Sequence, residues 1–355
     1  MLYMKESGFV RQKIFLKFKK SIFAIVLFFC AFFYAGCPQI KFYGKNENSI
    51  SITNVSYDAT REFYNQYNEM FSEYWEEKYG QKIKIIQSHG GSGMQSRSVL
   101  EGNEADVVSL AVESDIERLS KAGLANKNWK TNFPNDSSPY TSTIVFLVRK
   151  GNPKRIKDWS DIIKNGIEII TPNPKSSGGA RWNFLAAWAF AQEKYNGDEE
   201  KSIAFLKNLY SNVKVLNSGA RSALTTFVEQ GQGDVLIAWE NEAFFILKER
   251  SEEFEMVVPS ISIIARPCVA EVTAYSQKHD TRKAAKEYLE YLYSDEAQRI
   301  MAENYFRPSN AEILKEYEYV FNLDIKLVEA SKFGNWDEIN KKFFADGAIF
   351  DNFYN

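Results

Sequence analysis

Only two histidines, His89 and His279, occur in 355 residues, and the cysteines are three: Cys30, Cys37 and Cys268. Structural zinc sites are assembled from clustered Cys and His ligands, so this scarcity leaves a zinc centre almost no support. Proline is sparse at nine residues, and no repeat or low-complexity tract interrupts the chain; long disorder is not expected. The sequence has no Walker phosphate loop, and so no such device for burning nucleotide. It also lacks the Gly-x-Ser-x-Gly elbow of hydrolases. Ser92, His89 and Asp58 do supply the residue types of a triad. However, His89 and Ser92 lie three apart in one Gly-rich loop, so a serine hydrolase stands as a distant alternative. What is present is a chain 45% hydrophobic and 25% charged, long enough for two lobes with cores of their own.

The first 36 residues read separately from that globule. Lys5, Arg11, Lys13, Lys17, Lys19 and Lys20 face a single acid, Glu6, and an apolar run follows from Ile22 to Ala35. A basic region, a short apolar region and a small-residue site make a signal peptide. The run falls short of the roughly 20 residues of a spanning helix. Its end, Tyr34-Ala35-Gly36-Cys37, resembles a bacterial lipobox, which implies cleavage before Cys37 and lipidation of that cysteine. Tyr34 departs from the usual aliphatic residue, and ordinary cleavage with free release is the alternative. Residues 37–49 read as a tether. With Cys30 in the leader and Cys37 as anchor, Cys268 stands alone, and its neighbours suggest a buried, inert thiol.

Removing the leader takes the basic residues from 44 to 38 and the acidic ones from 46 to 45, a net charge of −7. Such a surface argues against nucleic acid as partner. Any anion site must then work by local dipoles and not by net attraction.

Beyond the tether, strands and helices alternate, which points to α/β layers. β-rich runs fall at Ile50–Val55, Lys82–Ile86, Val107–Leu110, Thr143–Arg149, Glu168–Thr171, Val213–Leu216 and Val235–Trp239. Between them, Phe63, Tyr67, Met70, Phe71, Tyr74 and Trp75 recur at helical spacing, as do Trp182, Leu185, Ala186 and Ala189. These stripes read as core. The last third, Thr281–Asn355, is mostly helical and charged.

The chemistry lies at the strand-to-helix junctions. Asp58 follows the first strand, and Ser88-His89-Gly90-Gly91-Ser92-Gly93 the second. Lys175-Ser176-Ser177-Gly178-Gly179-Ala180-Arg181 and Asn217-Ser218-Gly219-Ala220-Arg221 open two further helices, and Trp239 ends an apolar strand. The first N–H groups of a helix have no internal partner and sit at the positive end of its dipole. Glycine allows close backbone approach, serine adds a hydroxyl, and anions bind at such ends. One Gly-Ser loop alone is usually a cap and a turn; several converging at the carboxyl ends of strands form a receptor for a small anion.

The segments Asn54-Val55-Ser56-Tyr57-Asp58, Gln87-Ser88-His89-Gly90-Gly91-Ser92-Gly93, Pro139-Tyr140-Thr141-Ser142-Thr143, Thr171-Pro172-Asn173-Pro174-Lys175-Ser176-Ser177-Gly178-Gly179-Ala180-Arg181-Trp182-Asn183 and Gly233-Asp234-Val235-Leu236-Ile237-Ala238-Trp239-Glu240-Asn241-Glu242 resemble the periplasmic sulfate-binding proteins of bacterial ABC importers. The resemblance runs over residues 50–352. It implies an α/β, two-lobed periplasmic-binding-protein fold of type II, with the ligand between lobes joined by two crossover strands. Residues 50–143 with 265–355 would form lobe one and 144–264 lobe two, hinged at Thr141–Phe146 and Val257–Ile264. It further implies that the anion meets the N–H of Asp58, the hydroxyl and N–H of Ser92, the residues Ser177, Gly178 and Gly179, the N–H of Ala220 and the indole N–H of Trp239. Ala59 and Met94 depart from the family's frequent proline and lysine. The Asp58 carboxylate is expected to turn away, capping its helix or pairing with Arg181 or Arg221. The implied protein is not an enzyme and takes no cofactor and no metal. It is a monomer on the periplasmic or extracytoplasmic side that delivers sulfate to ABC permease and ATPase subunits. Thiosulfate or another tetrahedral oxyanion is the alternative ligand.

Overall fold

Nine residues rich in β-branched side chains, Ser49–Tyr57, form the first strand, β1, and everything near the site is arranged around its carboxyl end. The chain is described by a computed structural model over residues 49–353. The leader 1–36, Cys37 and all but the last residue of the tether lie outside the described residues.

A 3-10 turn, Asp58–Thr60, leads from β1 into α1 (Arg61–Tyr79). Phe63, Tyr67, Phe71 and Trp75 of the expected stripe are buried, together with Tyr64. Gly80 ends α1 in the left-handed region (φ 62°), where glycine carries no Cβ penalty. Then come β2 (Lys82–Gly90), α2 (Ser92–Leu100), β3 (Val107–Leu110) and α3 (Glu113–Lys121). After the first crossing the chain forms β4 (Ile144–Arg149), β5 (Ile169–Pro172), α4 (Gly178–Lys194) and α5 (Glu199–Ser211). There follow β6 (Val213–Asn217), α6 (Ala220–Leu224), β7 (Val235–Trp239), α7 (Glu240–Arg250) and β8 (Phe254–Val257). A return crossing leads to β9 (Cys268–Glu271), α8 (Arg282–Tyr291) and α9 (Asp295–Glu303).

The strands fall into two main sheets, a four-stranded one ordered β9-β3-β1-β2 and a five-stranded one ordered β6-β5-β7-β4-β8. In the first, β1 runs parallel to β2 and β3; in the second, β5 runs parallel to β6 and β7, while β4 is antiparallel to β7 and β8. The two crossings lie side by side. Ser142 and Ala265 exchange backbone hydrogen bonds at 3.0 and 2.9 Å, and Ser262 Oγ donates to Ile144 O at 2.8 Å. A third pass, Lys326–Val328, pairs in parallel with Ile261–Ile263 next to them.

Two departures from the sequence reading follow from packing. β2 runs on to Gly90, so much of the expected Gly-rich loop is strand; pairing with β1 as far as Tyr57↔Gly90 extends it. The end of the chain, grouped with residues 50–143 in the sequence, instead covers helices of the five-stranded half. Phe343 and Phe344 lie 5.2 and 5.1 Å from Phe184 of α4, and Phe350 lies 5.1 Å from Tyr210 of α5. This explains why α4 is buried along its length from Gly178 to Ala191: a sheet takes one side of it and the chain end another. Cys268 is a buried free thiol, pushed up by burial first and then by the Glu113 charge. Among the described residues no helix is long and apolar enough to cross a membrane.

Candidate functional site

Four parallel strands, β1, β2, β5 and β6, end at the junctions singled out above, and β7 ends at Trp239. Ser92 is the first residue of α2, Gly178 and Gly179 open α4, and Ala220 opens α6. Their N–H groups therefore stand where a helix has no internal acceptor. Ser177 is the N-cap of α4: its Oγ accepts Ala180 N–H at 3.3 Å, which leaves the hydroxyl proton free to donate.

The structure brings these junctions together across the two halves. A Cβ placed on Gly178 would lie 2.8 Å from Ser92 Cβ and 3.2 Å from Ala111 Cβ. One on Gly91 would lie 3.0 Å from Ser176 O, and one on Gly219 would lie 2.5 Å from Asp58 Oδ2. Trp239 is buried, and its indole N–H donates to Gly179 O at 3.2 Å. Its ring centroid lies 5.5 Å from that of Tyr57, the residue before Asp58. Asp58, Ser92, Gly178, Gly179, Ser177, Ala220 and Trp239 thus surround one place. Cys37 lies outside the described residues.

Two expectations are corrected. The hydroxyl of Ser92 is not free to donate into the cleft: it donates to Asp115 Oδ2 at 2.6 Å and accepts Ala111 N–H at 3.0 Å. Asp115 is fully buried and needs donors, and a hydroxyl has one proton to give, so Ser92 retains only its backbone N–H. Nor does the Asp58 carboxylate turn away to cap its helix or to pair with Arg181 or Arg221: no side-chain cap bond is made at that helix start, and Oδ2 faces Gly219 of the other half. Arg181 meets Asp115 at 3.4 Å and donates to Pro174 O at 3.0 Å, while Arg221 meets Glu62 at 3.6 Å. Burial is the first cause that raises the Asp58 carboxyl; Arg61 and Arg221 pull it back. Arg181 and Arg221 thus each meet a carboxylate other than Asp58.

His89 and Ser92 do not meet as a base and nucleophile. His89 Nδ1 lies 2.7 Å from Ser56 Oγ, and burial first, then Arg61, push its pKa down to about 4. A histidine lowered in the folded state leaves the unfolded chain binding more protons between about pH 4 and about pH 6.5. Its contribution to stability is whole above that window and lost as pH falls through it. We expect His89→Gln to flatten the acid limb of a urea-midpoint profile in this window; an unchanged limb would assign it to other groups.

Several residues that shape the site are not among those expected to touch the anion. Asp115 is one. The triplet after Trp239 is another: Glu240 forms a buried bidentate pair with Arg307 at 2.7 and 2.8 Å, Asn241 Nδ2 donates to Ala59 O at 3.2 Å, and Glu242 is buried. A charged Glu-Asn-Glu run directly after an apolar strand was the available cue, since such a run has to be either solvated or paired.

Known proteins resemble this chain over most of its length. Residues 56–307 match the family described as bacterial extracellular solute-binding protein. The sulfate-binding protein of Escherichia coli (strain K12) is 52% identical over 304 residues, covering 85% of this chain and 92% of that protein. A thiosulfate-binding protein of Pseudomonas aeruginosa is 46% identical over 306 residues, covering 85% of this chain and 92% of that protein. The solved structure of the sulfate-binding protein SubI from Mycobacterium tuberculosis H37Rv superposes with a TM-score of 0.75 at 33% identity, covering 83% of this chain and 99% of that one.

Proposed function

Since the chain belongs to the bacterial extracellular solute-binding proteins, we propose that it captures sulfate and hands it to an ABC importer. One observation carries the reading: helix starts from both halves converge on one place, while Arg181 and Arg221 beside it meet Asp115 and Glu62. Such a site stabilises a dianion by oriented dipoles. The N–H groups of Asp58, Ser92, Gly178, Gly179 and Ala220, the Ser177 hydroxyl and the Trp239 indole are its donors. To serve, the indole exchanges Gly179 O for the anion.

Sulfate carries no proton at neutral pH, and donors alone satisfy it. Phosphate carries one that needs an acceptor, and an unmatched buried polar group costs about 1–3 kcal/mol. The two halves act as lobes that close by bending at the paired crossings, Asp58 and Ser92 coming from one, Ser177, Gly178, Gly179, Ala220 and Trp239 from the other. The closed form is what the permease and its ATPase subunits read. Binding without catalysis fits these residues, since His89 and Ser92 each bond elsewhere. Lipidation at Cys37, a periplasmic or extracytoplasmic position and a monomeric state complete the proposal.

Calorimetric titration of the ligand-stripped protein with sulfate tests it, with thiosulfate and phosphate as competitors. We expect one-to-one binding, displaced by thiosulfate at most weakly and untouched by phosphate. Preference for thiosulfate keeps the mechanism and changes the substrate. Failure to bind any tetrahedral dianion refutes the reading.

A further inference from the structure

A cavity of ≈ 10 Å³ adjoins the converging helix starts, and its wall contains Gly179, Ala220 and Trp239, three of the seven proposed contacts. The same wall contains Glu242 and Asn183. A carboxyl group in an anion receptor calls for explanation, because ionised it would repel the ligand.

We infer that Glu242 is a further member of the anion site, and that the site takes its dianion only while the Glu242 carboxyl keeps its proton. The inference rests on the reading of this place as an anion receptor. Glu242 lies in the first turn of α7 and is 8% exposed. Near it stand Tyr57 at the end of β1, Asp58 in the turn that follows, Glu62 on α1 and Arg221 on α6. Burial first, and then the Asp58 charge, push the carboxyl up to about 8, with Glu62 adding to the rise; Arg221 and a hydrogen bond from the Trp239 backbone act the other way. Arg221 is half committed to Glu62 at 3.6 Å.

At neutral pH Glu242 is therefore an uncharged acid and a donor, of a kind with the N–H groups around it. When no anion is held, its cavity offers an acceptor as well: Asn183 Oδ1 is buried and has no hydrogen-bond partner. Losing the proton would put a negative charge beside the dianion and beside Asp58, which closure brings from the other half. Affinity and protonation are then linked. The bound anion raises the Glu242 pKa further. Below the free-state value both states carry the proton and affinity is flat; above it, each capture must take up a proton.

The test is sulfate calorimetry on the wild type and Glu242→Gln from about pH 6 to about pH 9.5, with circular dichroism confirming the fold at each pH. The wild type should hold a constant Kd up to about pH 8 and weaken about tenfold per pH unit above it. Glu242→Gln keeps shape and a donor but has no proton to lose, so its profile should stay flat. Should that variant fold poorly, the wild type alone decides. At about pH 8.5, titrations in two buffers of different ionisation enthalpy should reveal proton uptake approaching one per anion. A wild-type profile flat to the alkaline end without proton uptake, or the same alkaline slope in Glu242→Gln, overturns the inference while leaving sulfate capture intact. Absence of any anion binding at neutral pH overturns capture itself, and this inference with it.

Discussion

Gly178→Ala should weaken sulfate binding by roughly 10- to 100-fold, since overpacking costs about 1–3 kcal/mol and each 1.4 kcal/mol is tenfold. The added Cβ would sit 2.8 Å from Ser92 Cβ and 3.1 Å from Ser92 Oγ, both in the opposite half. Ser92 cannot step aside cheaply, because Asp115 and the Ala111 N–H hold its hydroxyl. The closed arrangement must therefore open by a fraction of an ångström, enough to lengthen every N–H contact to the anion at once. The clash lies where the two halves meet and opening relieves it, so the melting temperature without ligand should move little. Calorimetry on the variant measures the affinity, and thermal melts with and without sulfate separate closure from folding. An unchanged Kd would mean that Gly178 and Ser92 do not approach each other when the anion is held.

The largest stability effect is expected at Arg307. Its guanidinium meets both oxygens of Glu240 and donates to Asn322 O at 3.0 Å, and the two side chains of the pair are 5% and 2% exposed. Removing one partner strands the other charge in the interior, so Arg307→Ala should destabilise the fold by about 3–5 kcal/mol. Urea unfolding with far-UV detection gives that difference. Glu240 also follows Trp239 directly, so the unpaired carboxylate should loosen the start of α7 and with it the indole. Replacing both partners, Glu240→Leu with Arg307→Met, should recover much of the loss, because a buried pair exchanged for well-packed apolar groups is often neutral. If Arg307→Ala costs less than about 1 kcal/mol, the pair is solvated in solution and its burial is not what fixes α7.

Much of this site is written locally in the sequence. A strand, a Gly-Ser turn and a helix start are consecutive residues, so the junctions that hold Ser92, Ser177, Gly178, Gly179, Ala220 and Trp239 can be picked out one at a time, while the individual contacts come from the family resemblance. What escapes is pairing over distance. Asp115 and Arg181 are 66 positions apart and Glu240 and Arg307 67 apart, and no local pattern says which acid takes which base. The expectation that Asp58 pairs with Arg181 or Arg221 fails for that reason. The chain end is misplaced for a different one. Phe343, Phe344 and Phe350 are apolar enough for either half, and α4, buried nearly all round, has lost the periodicity that would mark a face awaiting them. Glu242 was hidden by its own charge: an acid in a polar run reads as surface until its burial is seen.

The pass at Lys326–Val328 alters how the two halves can move. Two adjacent strands can fold like a strip of paper, and they can also wring. The third pass is bonded to the return crossing through Ile261–Ile263 and through Ile264 N–H to Val328 O, and the chain then runs on to Phe343 and Phe344 on the far half. Three laterally bonded ribbons bend about their common line but resist torsion. We expect the opening motion to be confined to one angular coordinate, so that every molecule that shuts presents the same relative orientation of its halves, whichever way it arrives at a membrane complex.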